Sequence, residues 1–307
     1  MKLICLKIQK EDKMVDFVDL MSGRNFSLDN EKEQDEFFFS EQWRMEPVLF
    51  GVRIQCLVNS VGEFKFLGKK KDYKQQDILK FLPDIVESLK TSSIPSNSLF
   101  EGNLELGNRA DVYRFLKTGQ SRVKATFHVS DIIYYDNKDV FNQPLFDRLK
   151  LMQRIFREDN NIRIQQGYVK NKKKEFERLR ELYTIFLFKD LESIYNFKQS
   201  VACRIYKIPR SFFMVIMGIV ENQNNEKLKN MVVALEGGQV REGKLEKIMN
   251  IPINGNDSKI SLYDARDSII GKVFEFLALE KSPEEKKYQD VRFVKIRNDK
   301  TVEDCVF

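Results

Sequence analysis

The sequence predicts an α+β chain of two domains, the second a small closed β-barrel. Three observations carry that expectation. A length of 307 residues suits about two domains of roughly 100–200 residues each. Helical and strand periodicities are mixed up to about residue 210. Beyond that point short strands separated by Gly, Asn and Asp turns take over and helix is scarce, the pattern of a closed barrel. The expected domains are 1–210, with an N-terminal extension over about 1–45, and 211–307.

Taken in order, residues 51–57 (GVRIQCL) and 62–67 (GEFKFL) read as paired strands joined by a short turn containing Asn and Gly. From Gln76 to Lys90, Ile78, Leu79, Leu82, Ile85, Val86 and Leu89 share one helical face, with a kink expected at Pro83. A long strand is expected over 123–135. Pro144 then precedes a helix whose buried stripe is Leu145, Phe146, Leu149, Met152, Ile155 and Phe156. A charged helix follows at 171–182 on a narrow face of Phe176, Leu179 and Leu182. Strands return at 183–188, 203–208 and 213–220. Later turns are expected at 221–225, 236–238, 254–257 and Gly271.

Composition narrows the chemistry. Hydrophobic residues are 42% and charged residues 32% of the chain, with 25 Phe, which is enough apolar mass for a large core. No apolar run reaches the roughly 18–20 residues of a membrane helix, and MKLICLKIQK lacks the apolar core of a secretory leader. The expected location is a reducing intracellular compartment, nucleus or cytoplasm, with no membrane association. Cys5, Cys56, Cys203 and Cys305 are scattered and read as free thiols. With no CxxC pair and His128 the only histidine, a Cys/His zinc site is not expected, nor any other metal. Triad catalysis would rest on His128 alone, whose apolar strand-like setting reads as structural.

The net charge of +6 is compatible with a nucleic-acid partner. Basic residues cluster at Lys69, Lys70, Lys71 and Lys74, and again at Lys170, Lys172, Lys173 and Lys174 followed by Arg178 and Arg180. Each cluster reads either as a solvated face or as phosphate contacts. Phe37, Phe38, Phe39 and Trp43 lie in an acidic stretch, EKEQDEFFFSEQW. They read as a packed or partner-facing segment and not as a base-stacking platform, because the flanking carboxylates repel phosphate.

The C-terminal stretch SIIGKVFEFLALEKSP, followed after a short spacer by VRFVKIRNDKTVED, resembles the end of the OB domain of ATP-dependent DNA ligases. Arg297, Asn298, Asp299 and Lys300 match that family's RxDK element, motif VI. Further fragments follow in the family's order over about 46–307. Glu46-Pro47 and Gly51-Val52-Arg53-Ile54-Gln55 match the surroundings of motif I, E-P-K-x-D-G-x-R-x-Q. LFEGNLEL at 99–106 matches motif III, and DIIYYDNKDVFNQPLFDRLKLMQRI at 131–155 the segment after motif IIIa. The helix at 171–182 with IFLF matches the approach to motif IV, and RIYKIP at 204–209 matches motif V. The resemblance implies a nucleotidyltransferase domain of antiparallel sheets and flanking helices, followed by an OB-fold barrel.

The family's chemistry, as the resemblance implies it, joins a lysine amine covalently to AMP. Carboxylates hold a divalent metal, further lysines stabilise phosphate oxygens, and an aromatic ring stacks on adenine. In this sequence the nucleophilic lysine falls at Val48 and the motif I Asp at Phe50. The motif III Glu falls at Asn103 and the motif IIIa ring at Ser130. The motif IV Glu-Gly falls at Tyr183-Thr184 and its lysine at Phe188; the motif V lysines fall at Tyr206 and Ile208. One-residue slips would instead bring Lys189 to motif IV and Lys207 to motif V, and Glu101 or Glu105, two positions away, could replace Asn103 in motif III. No slip brings a lysine to position 48.

The expectation is a pseudoenzyme with no cofactor, its cleft lined by Val48, Phe50, Tyr183, Phe188 and Ile208. It would bind nucleic acid, duplex DNA first, or serve as a structural subunit of a replication, repair or transcription assembly. An active enzyme with a relocated lysine and a protein-only scaffold docking through Phe37–Trp43 are the alternatives. Arg53 would face phosphate or pair with Glu101. Arg297, Asp299 and Lys300 would form an interdomain salt bridge, or contact nucleic acid or a partner. The nucleic-acid candidates are Arg53, Lys69, Lys70, Lys71, Lys170, Lys172, Lys173, Lys174, Arg297 and Lys300.

Overall fold

The computed structural model describes residues 21–26, 31–49, 51–68, 82–107, 111, 114–115, 118, 124–221, 231–279, 281–282, 287–288 and 291–306. The chain divides into two units, Met1–Lys207 and Ile208–Phe307. Phe50 and Lys69, Lys70, Lys71 and Lys74 lie outside the described residues.

The first unit is built on two sheets. It opens with β1 (Ser22–Phe26), α1 (Glu31–Phe39), β2 (Trp43–Pro47), β3 (Gly51–Val58), β4 (Phe64–Gly68) and α2 (Pro83–Lys90). It continues through β5 (Ser98–Glu105), β6 (Thr126–Tyr135), β7 (Lys138–Asp139), α3 (Leu145–Ile155) and β8 (Ile162–Ile164). It ends with α4 (Lys172–Leu179), β9 (Ile185–Asp190) and β10 (Gln199–Lys207). One sheet runs β4-β3-β5-β6-β7, with β8 parallel to β6; the other runs β1-β10-β9-β2.

The expected β3–β4 hairpin forms, with the amides of Val61 and Glu63 donating to Asn59 Oδ1 and Gly62 at φ +82° turning the chain. Pro83 starts α2 and does not kink a longer helix, since the first helical turn tolerates its missing N–H; residues 76–81 are not described. Ile85 and Leu89 of α2 and Leu149 and Met152 of α3 pack with Ile54, Phe100, Leu104 and Phe127 of the first sheet. At Gly102 of β5 there is no room for a side chain against β6. A Cβ there would lie 2.4 Å from the His128 carbonyl oxygen.

The second sheet has one aromatic face. Phe186 and Phe188 of β9 pack with Phe37 and Phe38 of α1 and Phe176 of α4, ring centroids 5.0–5.5 Å apart. Strand alternation therefore turns Ile185, Leu187 and Lys189 to the opposite face.

The second unit holds β11 (Arg210–Glu221), β12 (Val232–Arg241), β13 (Lys244–Pro252), α5 (Asn256–Asp264), α6 (Arg266–Ile269), β14 (Val273–Ala278), β15 (Lys281–Ser282), β16 (Lys287–Tyr288) and β17 (Arg292–Arg297). Its antiparallel sheet is ordered β13-β12-β11-β14-β17 around Met214, Ile216, Leu235, Ile251, Phe274 and Phe276. The edge strands β13 and β17 approach each other, but no ladder closes them into a barrel among the described residues.

The turn expected at 236–238 is strand. Gly237 and Gly238 sit inside β12 because Met214 and Met217 side chains occupy the space a Cβ would take. Near 254–257 the chain turns at Gly255, φ +82°, directly into a helix that the Gly/Asn/Asp content had hidden. No described helix is long and apolar enough to cross a membrane.

Candidate functional site

The two sheets of the first unit face each other across a cavity of about 360 Å³. Met21, Ser22 and Gly23 line one rim. Glu46, Pro47, Val48 and Leu49 come from the end of β2, Gly51 and Arg53 from β3, and Glu101 and Asn103 from β5. Ser130 and Asp131 come from β6, Ile185, Leu187 and Lys189 from β9, and Cys203, Ile205 and Lys207 from β10.

Its charges are arranged in pairs. Glu46, buried, accepts from Arg44 Nε at 2.8 Å and from Lys189 Nζ at 2.8 Å. Burial alone pushes the Glu46 carboxyl up, but Lys189 and Arg44 outweigh it and hold it below its usual value. Burial likewise pushes Lys189 down, and Glu46 with Asp131 more than reverses it, so the amine stays protonated. Arg53 donates through Nε and Nη2 to Glu101 Oε1 and through Nη1 to the Met21 carbonyl at 2.7 Å. The Tyr195 hydroxyl donates to the other oxygen of Glu101, and burial beside that carboxylate raises the phenol well above its usual value. Arg148, fully buried, holds Asp131 through two bonds of 2.7 and 3.0 Å.

The remaining positions separate into those the fold brings to the cavity and those it does not. Val48 lines it, Asn103 lines it and donates to the Leu49 carbonyl at 3.0 Å, and Ser130 lines it. Phe188 does not; it packs fully buried on the aromatic face. Tyr206 also faces that side, 5.7 Å from Phe176, and Tyr183 is only half-buried, away from the cavity lining. Ile208 is buried at the start of the second unit. The one-residue slips are the registers that reach the cavity, with Lys189 and Lys207 in place of Phe188 and Tyr206 and with Glu101 present beside Asn103. Strand alternation was the signal that could have found them. Of the four described positions of the expected apolar lining, Val48 alone lines the cavity.

Among the described residues no three His, Cys, Asp or Glu side chains converge as a metal cluster. Nor do the residues present fit the family's covalent nucleotide. Position 48 has no amine, Ser130 offers no ring to adenine, and the cations Lys189 and Arg53 are already held by carboxylates. Lys207 also lines the cavity.

Other sequence candidates lie elsewhere. Lys172 is fully buried and donates to the carbonyls of Ser40 and Val169, both at 2.7 Å, which removes it from any surface. Lys170, Lys173 and Lys174 are exposed. His128 Nε2 sits 2.7 Å from Glu105 Oε2, a structural contact within the first sheet. Arg297 pairs with Glu275 and Asp299, and Lys300 with Asp304, so their carboxylate partners belong to the second unit itself. Both cations also lie over the Phe213 ring. Phe37, Phe38 and Trp43 are core, which leaves Phe39 as the exposed one of the segment's four aromatic residues.

Three solved chains place this architecture. Pmar-Lig_PreS3 matches with a TM-score of 0.63 at 14% identity, over 91% of this chain and 68% of that one. The chain has a DNA-ligase fold. A chain from a structure–function study of Lig E DNA ligases matches with a TM-score of 0.56 at 13% identity, over 92% of this chain and 100% of that one. The ligase domain of LigD from M. tuberculosis matches with a TM-score of 0.50 at 15% identity, over 95% and 100%. No family model and no curated relative matches the sequence.

Proposed function

We propose that this chain is a ligase-fold protein that forms no lysyl-adenylate and acts by binding nucleic acid, duplex DNA first, alone or as a subunit of a replication, repair or transcription assembly. The observation that carries the reading is Val48. It stands where the resemblance places the nucleophile, and it faces the cavity. Its isopropyl group has no lone pair to attack a phosphate. The neighbouring charges support the same reading. Lys189 is fixed to Glu46 as an ammonium, and a protonated amine is not a nucleophile.

A relocated nucleophile has one observation in its favour, the presence of Lys207 in the cavity lining. Intact mass of the full chain after incubation with ATP and Mg²⁺ or Mn²⁺, beside an active ligase, separates the two. An unmodified chain beside an adenylated control is the expected result. A gain of one AMP overturns the noncatalytic reading, and peptide mapping then tests Lys207. Binding to a labelled nicked duplex at several salt concentrations tests the second half. A salt-insensitive or absent interaction removes the nucleic-acid role and leaves the scaffold.

A further inference from the structure

We propose that the surface groove between the C-terminal end of α1 and the start of α4 binds single-stranded nucleic acid, with an unpaired base on Phe39 and backbone phosphates on Lys170, Lys173 and Lys174. The inference rests on the nucleic-acid reading above and names a different substrate form and a site remote in the fold from the cavity. The groove encloses about 610 Å³ and is lined by Phe39, the three exposed lysines, Glu41 and Glu177, with Lys172 beneath.

Two properties occur together here. The first is an exposed ring. Phe39 is 68% exposed, although Phe38 beside it is buried against Phe176 and Phe188. Phe39 presents an accessible ring at the rim of the groove, and every nucleobase has a π-face that can stack on such a ring.

The second is loosely held positive charge. Lys170 stands 3.5 Å from Glu41 and Lys173 stands 3.7 Å from Glu177. Both are longer than the roughly 2.7–2.9 Å of a charge-assisted hydrogen bond, so a phosphate oxygen can displace either carboxylate. The three exposed lysines exceed the two glutamates of the lining by one charge. Duplex DNA offers phosphates but keeps its bases stacked and paired. A single strand offers both, which is why the ring and the lysines together favour it. The sequence argued against stacking here because Phe39 follows acidic residues; the fold sets lysines from 130 positions further along the chain beside it.

The test uses the full chain and fluorescence anisotropy with a labelled oligothymidylate, a duplex of equal length, and polyglutamate as an acidic-polymer competitor. Stacking on one ring is worth about 1–3 kcal/mol, so Phe39→Ala is expected to weaken oligothymidylate binding about tenfold and leave duplex binding unchanged. Phe39→Trp is expected to restore it. Lys173→Gln with Lys174→Gln is expected to lower the log–log salt slope by about 1.4, at about 0.7 per phosphate contact. These residues are exposed, and unchanged thermal melting of each variant keeps the comparison clean. Wild-type affinity in Phe39→Ala overturns the inference, and polyglutamate binding as tightly as the oligonucleotide overturns it in favour of an acidic protein. Duplex binding without single-strand binding removes this inference and leaves the proposed function standing. Binding of neither removes both.

Discussion

Replacing Lys189 with Met leaves Glu46 buried with half of its compensation. In the native unit the carboxylate has two cationic partners, each at 2.8 Å, and both it and Lys189 are buried. Removing one member of a buried ion pair costs about 3–5 kcal/mol, because the surviving charge has no water to return to. Arg44 remains, so the lower end applies, about 3 kcal/mol. With a urea dependence of about 3 kcal/mol/M, the midpoint falls by about 1 M. Trp43, the only tryptophan, is buried in this unit and reports its unfolding by fluorescence.

The pH dependence has opposite signs in the two proteins. In the wild type the folded Glu46 carboxyl lies below its usual 4.5, so its contribution is full above that value and is lost as the pH falls through the folded one. In Lys189→Met, burial, the largest single influence on this carboxyl, is opposed by Arg44 without Lys189, and the carboxyl is expected to rise. The protonated form then favours the fold, and that contribution is lost as the pH rises. The deficit of the variant is therefore expected to shrink between pH 7 and pH 4. Glu46→Gln added to Lys189→Met removes the stranded charge and is expected to recover part of the loss. A single variant within about 0.5 kcal/mol of wild type, or a double variant less stable than the single, would refute the reasoning.

The other expectations follow from neighbouring features. Arg148→Met strands Asp131 in the same way and also removes the donor to the Gln143 carbonyl, while the Ser193 carbonyl keeps the Leu145 amide, a loss of about 3–5 kcal/mol by urea titration. Gly102→Ala drives a methyl into the His128 carbonyl and the Phe127 ring, both in β6, and is expected to lower the melting temperature of the first unit by more than 5 °C, about 1–3 kcal/mol or above. Cys56, Cys203 and Cys305 are buried, and burial raises each thiol above its usual value. All three are expected to resist maleimide in the native chain and react in urea, read by peptide mapping.

Much of the element order was legible because it depends on local chemistry. The hairpin after Val58 is announced by Asn59 and Gly62, whose side-chain acceptor and positive φ make the turn without help from elsewhere. The helix after Pro144 forms on the stripe that the sequence displays, with Leu145, Leu149, Met152 and Ile155 buried, although Phe146 of that stripe remains exposed. The site was less legible. Assigning Phe188 and Tyr206 to the cleft required knowing which face of β9 and β10 met the first sheet. A register error of one residue exchanges every inward side chain for its outward neighbour.

By itself the sequence determined what cannot be present. No reading of Glu46-Pro47-Val48 supplies an amine at position 48, because residue identity does not depend on the fold. It also determined the order of strands and helices wherever turn residues and apolar spacing act over a few positions. Tertiary structure alone decided which charges reach the cavity and how they are spent, pairing Glu46 with Lys189 and Arg53 with Glu101. It also buried Lys172 while leaving Lys173 and Lys174 exposed, and it set Phe39 beside them. The reason is that pairing across strands and burial are properties of distance in space, and residues 46 and 189 become neighbours only when β2 and β9 share a ladder.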